Sequence, residues 1–513
     1  MEKAPSAQQV TRLLLGAAGL IVALVLGWNI GSSNFVPVVM VGAVVGGLGL
    51  WLFSGQYFWV ITIASSFLLG TFPILGGAFT PFQLLIVIGV AKFVVEGIIF
   101  GRKRLQTGNR IDTLLICGFM GVLTLHGLHD RFGMRFLGST VWGGRNYVNV
   151  YVGLAAFFII QSVPISEKHW RKLPYLVLAV SGFDLFIAVV TTIFPSTIYR
   201  IYPFYSAVSL LGIEQIVSGE SDVTGRVGAF GSFGFVLITL ILASTSVREL
   251  FHPRNFYRLC LIFVGLVAVL FSGFRSWLLN VVLAFFAAAF RDLKFKMVLL
   301  IPLIVAILLG LSGINSYVYR FPKQVQRALS FVPGTWDVEM VRDAEGSNEF
   351  RERVWKLWVN EYFPKRPMLG RGFGFNAAWA QPSIYYNTAT DYQQHVEVQN
   401  LHNGLFASLD TFGVVGTIFF AIWILRMLFR ALQVPFARPG ADATACRFVA
   451  IYLIVWILTY WFGAQTVGTF LPVQFALGGA LLSLRDKTKR REGSRLPEQT
   501  VAMRQRAMGY ATP

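Results

Sequence analysis

Apolar segments long enough to cross a membrane follow one another along most of this 513-residue chain, and clusters of Lys and Arg divide them. Most segments run for roughly 17–22 residues, which matches the hydrocarbon thickness of a bilayer for α-helices. The basic clusters recur only after every second segment. Because basic residues are retained on the cytoplasmic side during insertion, this spacing predicts which side each connection faces. The six clusters are Arg102-Lys103-Arg104-Arg110, Lys168-Arg171-Lys172, Arg248-Arg254-Arg258, Arg291-Lys294-Lys296, Arg426-Arg430-Arg438-Arg447 and a tail from Arg485 to Arg506.

The composition also indicates a membrane protein. Hydrophobic residues make up 55% of the chain, charged residues only 13%, and the mean hydropathy is +0.61. A soluble protein of this size cannot bury so much apolar surface, whereas a lipid bilayer solvates it. Because the segments lack the strict alternation of an outer-membrane barrel, we predict an all-α polytopic integral membrane protein.

The net charge of +19 does not indicate a nucleic-acid-binding protein. Most of it falls on connections predicted to be cytoplasmic, where it orients the spans and attracts anionic lipid head groups. On the opposite side, basic and acidic residues nearly balance. We therefore expect a lipid bilayer, and no nucleic acid, as a partner.

Hydropathy predicts fourteen spans with both chain ends inside. The first three are separated by uncharged links, so a total of about 12–14 transmembrane helices fits the pattern. The predicted spans are 11–30, 35–53, 57–75, 82–100, 111–127, 147–163, 173–194, 227–246, 257–273, 276–290, 297–313, 404–425, 448–464 and 468–484.

This topology divides the chain into five predicted regions. The largest connection has nearly equal numbers of basic and acidic residues, and we expect it to be a single large periplasmic loop at the bacterial inner (cytoplasmic) membrane. The regions are a cytoplasmic N-terminus (1–10), an N-terminal transmembrane region (11–313), the large periplasmic loop (314–403), C-terminal transmembrane helices (404–484) and a basic cytoplasmic tail (485–513).

The large loop contains its own predicted elements. Apolar residues at helical spacing predict a helix from Glu349 to Tyr362. Pro364 and Pro367 end it, and the glycines at 370, 372 and 374 predict a flexible turn.

Two arginines lie at the outer ends of predicted spans. Arg226 stands in a glycine-rich stretch before the span 227–246, and Arg275 stands in a tight turn between two spans. A guanidinium so close to hydrocarbon is costly unless an anion meets it, and it binds phosphate through two parallel hydrogen bonds. These arginines therefore indicate a diphosphate site, although each could instead extend to lipid head groups.

His402 stands where the large loop re-enters the membrane, at the predicted N-terminus of a helix. The helix dipole and nearby guanidinium groups both oppose protonation, so we expect a depressed pKa. A neutral imidazole can act as a general base at neutral pH. On position alone, a histidine that only caps the helix explains the same sequence equally well.

The order of these motifs resembles the bacterial O-antigen ligase and O-antigen polymerase superfamily of polytopic membrane glycosyltransferases. The resemblance covers roughly residues 220–430, and the N-terminal spans contribute only hydropathy. Asp410 stands where the family usually has Glu. The motifs are Arg226 to Gly231, Ser272 to Ser276, Arg351 with Trp355, Pro367-Met368-Leu369-Gly370-Arg371-Gly372-Phe373-Gly374, His402-Asn403, and Asp410 to Gly416.

The resemblance implies transfer of a glycan from an undecaprenyl-diphosphate carrier to an acceptor hydroxyl at the periplasmic face, with no metal and no other cofactor. His402 would be the catalytic base, and Arg226 and Arg275 would bind the diphosphate. Arg351, Asn403 and Asp410 would support them. The acceptor is lipid A-core for a ligase of lipopolysaccharide biosynthesis and a growing glycan for a polysaccharide polymerase. The sequence does not separate these two.

Other functions compete with this one. Asp343-Ala344-Glu345 resembles the acidic pair of metal-dependent glycosyltransferases, and His395, Glu397 and His402 could in principle bind zinc. Asp184, inside a predicted span, is either a proton-coupling residue of a transporter or a buried hydrogen-bonding group. A flippase or exporter of lipid-linked oligosaccharides is less favoured, because polar residues concentrate on one face and no internal repeat is evident.

The topology is testable by labelling. A cysteine introduced at Ser347 should react with a membrane-impermeant thiol reagent in intact spheroplasts, whereas one at Ser494 should react only after lysis. The opposite pattern would invert the predicted orientation.

Overall fold

A computed structural model describes residues 46, 49, 55–72, 80–100, 105, 109–134, 137, 139–202, 204–206, 227–376, 391–434, 441–462, 467–468 and 470–485. Over these residues the chain is predominantly helical. Two short strands, Val141–Trp142 and Phe375–Asn376, pair antiparallel, with Val141 opposite Asn376. The predicted all-α class is therefore confirmed.

The helices have the following bounds. The longer ones are Pro81–Phe100, Arg110–His129, Gly144–Ser162, Leu173–Ile193, Gly228–Ser244, Phe256–Phe271, Arg275–Leu293, Leu300–Tyr317, Val338–Leu357, Gly404–Leu432, Ala441–Phe462 and Phe470–Arg485. The shorter ones are Tyr57–Ser65, Glu167–Trp170, Ile198–Ile201, Val247–Leu250, Lys323–Leu329 and Asp391–Glu397. Short 3₁₀ helices are Arg131–Gly133, Pro195–Thr197, Pro253–Asn255, Lys294–Leu299 and Phe363–Lys365. Residues Trp358–Tyr362 form a π-helical turn.

Six of the described helices are long and apolar enough to cross a membrane by length and composition. Three shorter apolar helices accompany them. The six are Arg110–His129, Glu167–Ile193, Pro253–Phe271, Lys296–Tyr317, Gly404–Leu432 and Ala443–Trp461. Each predicted span from 82–100 onward coincides with a helix, with boundaries that shift by several residues. The predicted spans 11–30 and 35–53 lie outside the described residues, apart from two helical positions in the second.

The predicted span 57–75 is wrong in its second half, because its helix ends at Ser65. A turn and then irregular backbone follow, and polar groups from elsewhere bind this backbone. Asp184 accepts a hydrogen bond from the Leu69 amide at 3.0 Å, and the Tyr205 hydroxyl accepts one from the Gly70 amide at 3.0 Å. Tyr205 also donates to Asp184. Asp184 is thus a buried hydrogen-bonding group that completes a helix end.

Contacts between distant segments agree with the predicted alternation of sides. At the end predicted to be cytoplasmic, Asp112 forms ion pairs with Arg426, at 2.7 Å, and with Arg430. At the opposite end, the Asn149 side chain donates to the Gly468 carbonyl at 3.3 Å. Each contact joins segments that the sequence places on one side. Which end faces the cytoplasm stays a prediction.

The helix Gly404–Leu432, here called the broken helix, is interrupted at Gly413, where φ is +62° and ψ is −172°. The predicted span 404–425 is therefore not a regular helix. An intact helix would join the amides of Val414 and Val415 to the carbonyls of Asp410 and Thr411. Instead these amides donate to the carbonyls of Pro367 and Met368 at 2.9 and 3.1 Å.

Residues 367–374, here called the glycine segment, complete the break. The amides of Arg371 and Gly372 donate to the carbonyls of Asp410 and Thr411 at 2.7 and 3.0 Å. The inserted segment thereby satisfies both amides and both carbonyls that the break leaves without helical partners.

Glycine is needed on both sides of this contact. Gly370 has φ of +79°, and a Cβ atom there would lie 2.5 Å from the Gly413 amide nitrogen. A Cβ atom on Gly413 would collide with the Met368 carbonyl. The predicted turn at residues 370–374 is present, with positive φ at Gly370 and Gly372, and close backbone packing surrounds it; its flexibility stays a prediction.

The predicted helix Glu349–Tyr362 is part of a longer element. Its α-helix, here called the long loop helix, is Val338–Leu357, and the π-helical turn continues it to Tyr362. The Asp337 side chain caps the start by accepting from the Glu339 amide at 2.9 Å. The prediction began too late because the first half is mostly polar and lacks an apolar stripe.

The break is testable by adding a methyl group. Gly413→Ala should destabilise the protein by about 3 kcal/mol, from a backbone conformation that only glycine adopts readily together with the collision described above. Thermal unfolding of purified protein in nanodiscs measures the loss. Gly121→Ala is the matched control, because a Cβ atom there has no neighbour within 4 Å among the described residues. Equal stability of the two variants would contradict the model of a fixed break.

Candidate active site

His402 lies in the short connection between two helices. The short loop helix, Asp391–Glu397, precedes it, and the broken helix begins two residues later. His402 has φ of +53°, a strained value for a residue with a side chain. Asn403 caps the broken helix, because its side-chain oxygen accepts from the amides of Leu405 and Phe406 at 3.0 and 3.1 Å. The prediction that His402 precedes a helix N-terminus is confirmed.

The long loop helix brings Arg351 to His402. Trp355 donates its indole N–H to the Leu401 carbonyl at 2.7 Å, next to the histidine. Arg351 lies one helical turn before Trp355 and is close enough for its charge to act on the imidazole. Trp358 is fully buried and stacks on Phe406, with ring centroids 5.0 Å apart. These tryptophans form the core between loop and broken helix.

The environment of His402 keeps it neutral. Burial is the largest cause that lowers its pKa, to about 4, followed by the charges of His395 and Arg351. The rings of His395 and His402 are 5.4 Å apart between centroids. The sequence argument expected the direction but attributed it to the helix dipole and guanidinium groups, and it missed burial. At neutral pH the imidazole is therefore unprotonated and able to accept a proton.

Arg275 belongs to a second group of arginines, which Arg351 relates to this histidine. It begins the helix Arg275–Leu293 and donates to the Ser330 hydroxyl at 2.6 Å. Its Nε donates to the Arg327 carbonyl at 3.4 Å. Arg327 in turn donates to the Gly273 carbonyl at 2.7 Å and forms an ion pair with Asp343. The turn that holds Arg275 is thus tied to the large loop through Arg327.

The charge of Arg351 acts on both Arg275 and His402 and so relates the group of arginines to the histidine. Burial, with a further contribution from Arg327, lowers the pKa of Arg351. Within the described part of the chain, no hydrogen bond or ion pair is found for the Arg351 guanidinium. A partly buried cation in this state is suited to receive an anion from outside the protein.

The local charge is positive. The charges of two further guanidinium groups, those of Arg327 and Arg351, act on Arg275, together with the charges of two carboxylates, those of Asp343 and Glu345. The Asp343 carboxylate is engaged by Arg327. Among the described residues, no group of three or more His, Cys, Asp or Glu side chains is placed to hold a metal ion. The arrangement can therefore stabilise negative charge directly through fixed cations.

Sequence reasoning missed two arginines of this region. Arg327 carried no motif, and only its place in the large loop could have indicated it. Arg371 stood inside a quoted motif but received no role. It binds Asp410 through two hydrogen bonds, at 2.9 and 2.8 Å. Asp410 is therefore a buried partner inside the broken helix.

The predicted site residues fall into two sets. The structure brings together His402, Arg275 and Arg351, with Asn403 and Asp410 in the helix that begins beside them. Arg226 lies outside the described residues, and the helix it was predicted to precede begins at Gly228. Its role as a diphosphate ligand stays a prediction.

The fold and this charged site define a polytopic helical membrane protein with a loop-covered polar centre at one end of its spans. Residues 260–421 match the family model described as O-antigen ligase. The match includes Arg275, Arg351, His402 and Asp410, and it confirms the predicted resemblance to the O-antigen ligase and polymerase superfamily over this part of the chain. A family of this kind indicates ligase or polymerase activity. No curated protein matches the chain.

The electrostatic role of Arg351 is testable. Arg351→Met should raise the pKa of His402, because it removes one of the positive charges that oppose protonation. Titration of the labelled imidazole by NMR measures the change. Lys356→Met is the matched control, because Lys356 is exposed and pairs with Glu352, four positions before it on the same helix. If both variants leave the titration of His402 unchanged, Arg351 does not act on the histidine.

Proposed function

We propose that this chain transfers a glycan from an undecaprenyl-diphosphate carrier to an acceptor hydroxyl at the periplasmic face of the inner membrane. His402 is the general base in this proposal. Arg275 and Arg351 bind the diphosphate, with Arg226 as a further ligand. The observation that carries the proposal is a neutral histidine close to a guanidinium that has no partner among the described residues.

The chemistry requires both parts of the site. The acceptor oxygen attacks the anomeric carbon of the glycan and forms a new glycosidic bond. The bond between that carbon and the diphosphate oxygen breaks, and its electron pair leaves with undecaprenyl diphosphate. The acceptor proton passes to the neutral nitrogen of His402. The arginines stabilise the negative charge that grows on the leaving diphosphate.

Binding of the carrier tunes the base. In the free protein the pKa of His402 is about 4, which is low for a base that works near neutral pH. The bound diphosphate brings negative charge beside Arg351 and thereby offsets one cause of the low value. We therefore expect the pKa of His402 to be higher in the complex than in the free protein.

Fixed cations take the place that a metal ion has in other diphosphate-dependent enzymes. Arg275 is held by the Ser330 hydroxyl and the Arg327 carbonyl, so its positive charge is already in position before the carrier binds. Glycan transfer by the purified protein in nanodiscs should therefore retain full activity in excess EDTA.

Ligase and polymerase activity share this chemistry and differ in the acceptor. A ligase transfers to lipid A-core, and a polymerase transfers to another carrier-linked glycan. Export of lipid-linked oligosaccharide is the competing function. The direct hydrogen bonds of Asp184 to a helix end favour a structural role over proton coupling, which removes one argument for transport.

The proposal is tested with purified protein in nanodiscs, a lipid-linked glycan and both acceptors. His402→Gln should lower the transfer rate by about 10²- to 10⁴-fold, because a general base contributes that much. Binding of the carrier should stay near normal. The acid limb of the kcat profile should lie at higher pH than that of kcat/KM, since carrier binding raises the pKa of the base.

Lys356→Gln on the exposed face of the long loop helix is the control variant and should transfer glycan normally. Near-normal transfer by His402→Gln would remove the base from the mechanism. The chemical nature of the product identifies the acceptor and separates ligase from polymerase.

A further inference from the structure

The Arg371 side chain binds residues in two helices outside its own segment. Its Nε and one Nη grip both carboxylate oxygens of Asp410, at 2.9 and 2.8 Å. The same Nη donates to the Val396 carbonyl at 2.7 Å, and the other donates to Glu397 at 3.2 Å. Its backbone amide donates to the Asp410 carbonyl. One side chain therefore joins the glycine segment, the short loop helix and the broken helix.

We propose that Arg371 is a positioning residue that holds His402 at its place in the site, an inference that rests on the proposed function. The residues it joins bracket the histidine in the chain. Val396 and Glu397 end the helix before His402, and Asp410 lies in the helix after it. A guanidinium that fixes both flanking helices fixes the short connection between them.

Further contacts hold the connection that contains His402 and the two helices that flank it. The Gln399 side chain donates to the Gly372 carbonyl at 2.5 Å, and the Asn400 amide donates to the His395 carbonyl at 2.8 Å. Trp358 donates to Asp410 at 2.8 Å from the long loop helix. The strained backbone of His402 persists because neighbours on both sides are fixed.

The fork geometry of arginine is essential to this role. Asp410 is almost fully buried, and loss of its partner would leave an unpaired carboxylate beside the break. Lysine retains the charge but cannot make two parallel bonds to Asp410 while also binding Val396. Arg371→Lys should therefore loosen the short loop helix and let water reach the histidine.

Access of water to His402 should change its pKa in a direction that can be measured. Burial is the main cause of its low pKa, so exposure should raise the pKa from about 4 towards the ordinary value of 6.5. The charged groups that face His402 are His395 from the short loop helix and Arg351 from the long loop helix. The acid in the broken helix, Asp410, is engaged by Arg371 and Trp358. A change at Arg371 thus acts on His402 through position.

The test uses full-length protein in nanodiscs and two readouts. Diethyl pyrocarbonate modifies neutral imidazole, and tandem mass spectrometry of the modified peptide gives the titration of His402 separately from that of His395. The second readout is the pH profile of glycan transfer. Arg371→Lys should move the His402 titration and the acid limb of transfer to higher pH, and transfer at pH 7.5 should fall about tenfold or more.

Two comparisons separate positioning from general loss of stability. Lys356→Arg exchanges the same two residue types and should match the unmodified protein, because that side chain is 70% exposed and pairs only with Glu352 on its own helix among the described residues. Gly153→Ala should lower the thermal midpoint through contact with the Pro472 backbone, 2.5 Å from the added carbon, yet leave the His402 titration in place. If Gly153→Ala moves the titration as far as Arg371→Lys does, the positioning role is wrong.

Asp410→Asn keeps the shape of the side chain and decides the matter if Arg371→Lys does not fold. A shifted His402 titration in this variant supports the proposal, and an unshifted one overturns it. The chemical titration needs no glycan transfer. If His402→Gln retains transfer while Arg371→Lys shifts the titration, the proposed function fails and the positioning role stands.

Discussion

The break in the helix at Gly413 is the constraint on which the rest of the site depends. A transmembrane helix cannot leave backbone groups without partners in a medium that offers no water. Here the amides and carbonyls freed by the break are bound by residues 367–372 of the large loop. That exchange fixes the loop against the spans. His402, Arg351 and Arg275 are then held by elements that the loop itself supplies.

Polar side chains reinforce this backbone contact. Arg371 and Asp410 form a buried pair directly beside it, and Trp358 donates to the same carboxylate. A buried pair of this kind adds stability only when its remaining donors and acceptors are satisfied. Here the carbonyl of Val396 and the carboxylate of Glu397 accept two of the three other guanidinium protons. This charge cluster therefore acts mainly by fixing the positions of the elements around His402. The low pKa of His402 follows mainly from the burial that this geometry produces.

The sequence predicted the elements whose signal is local. Hydropathy located the spans from 82 onward, and the position of His402 before a helix followed from the end of a polar loop. The sequence did not predict contacts between distant segments. Gly370 was predicted only as part of a flexible turn and Gly413 only as part of a motif, so the sequence did not indicate that these two glycines pack against each other. Arg327 and Arg371 gained their importance from partners such as Asp343 and Asp410, which no periodicity connects to them.

The exchange of hydrogen bonds at Gly413 also imposes an order on biogenesis. The loop residues that fill the break are synthesised before the helix they complete. In the predicted topology, where the loop is periplasmic, translocation of the loop has to precede the final seating of Gly404–Leu432. Until then the nascent helix carries an open defect in the lipid. A slow or stalled loop would leave that defect exposed to membrane quality-control proteases.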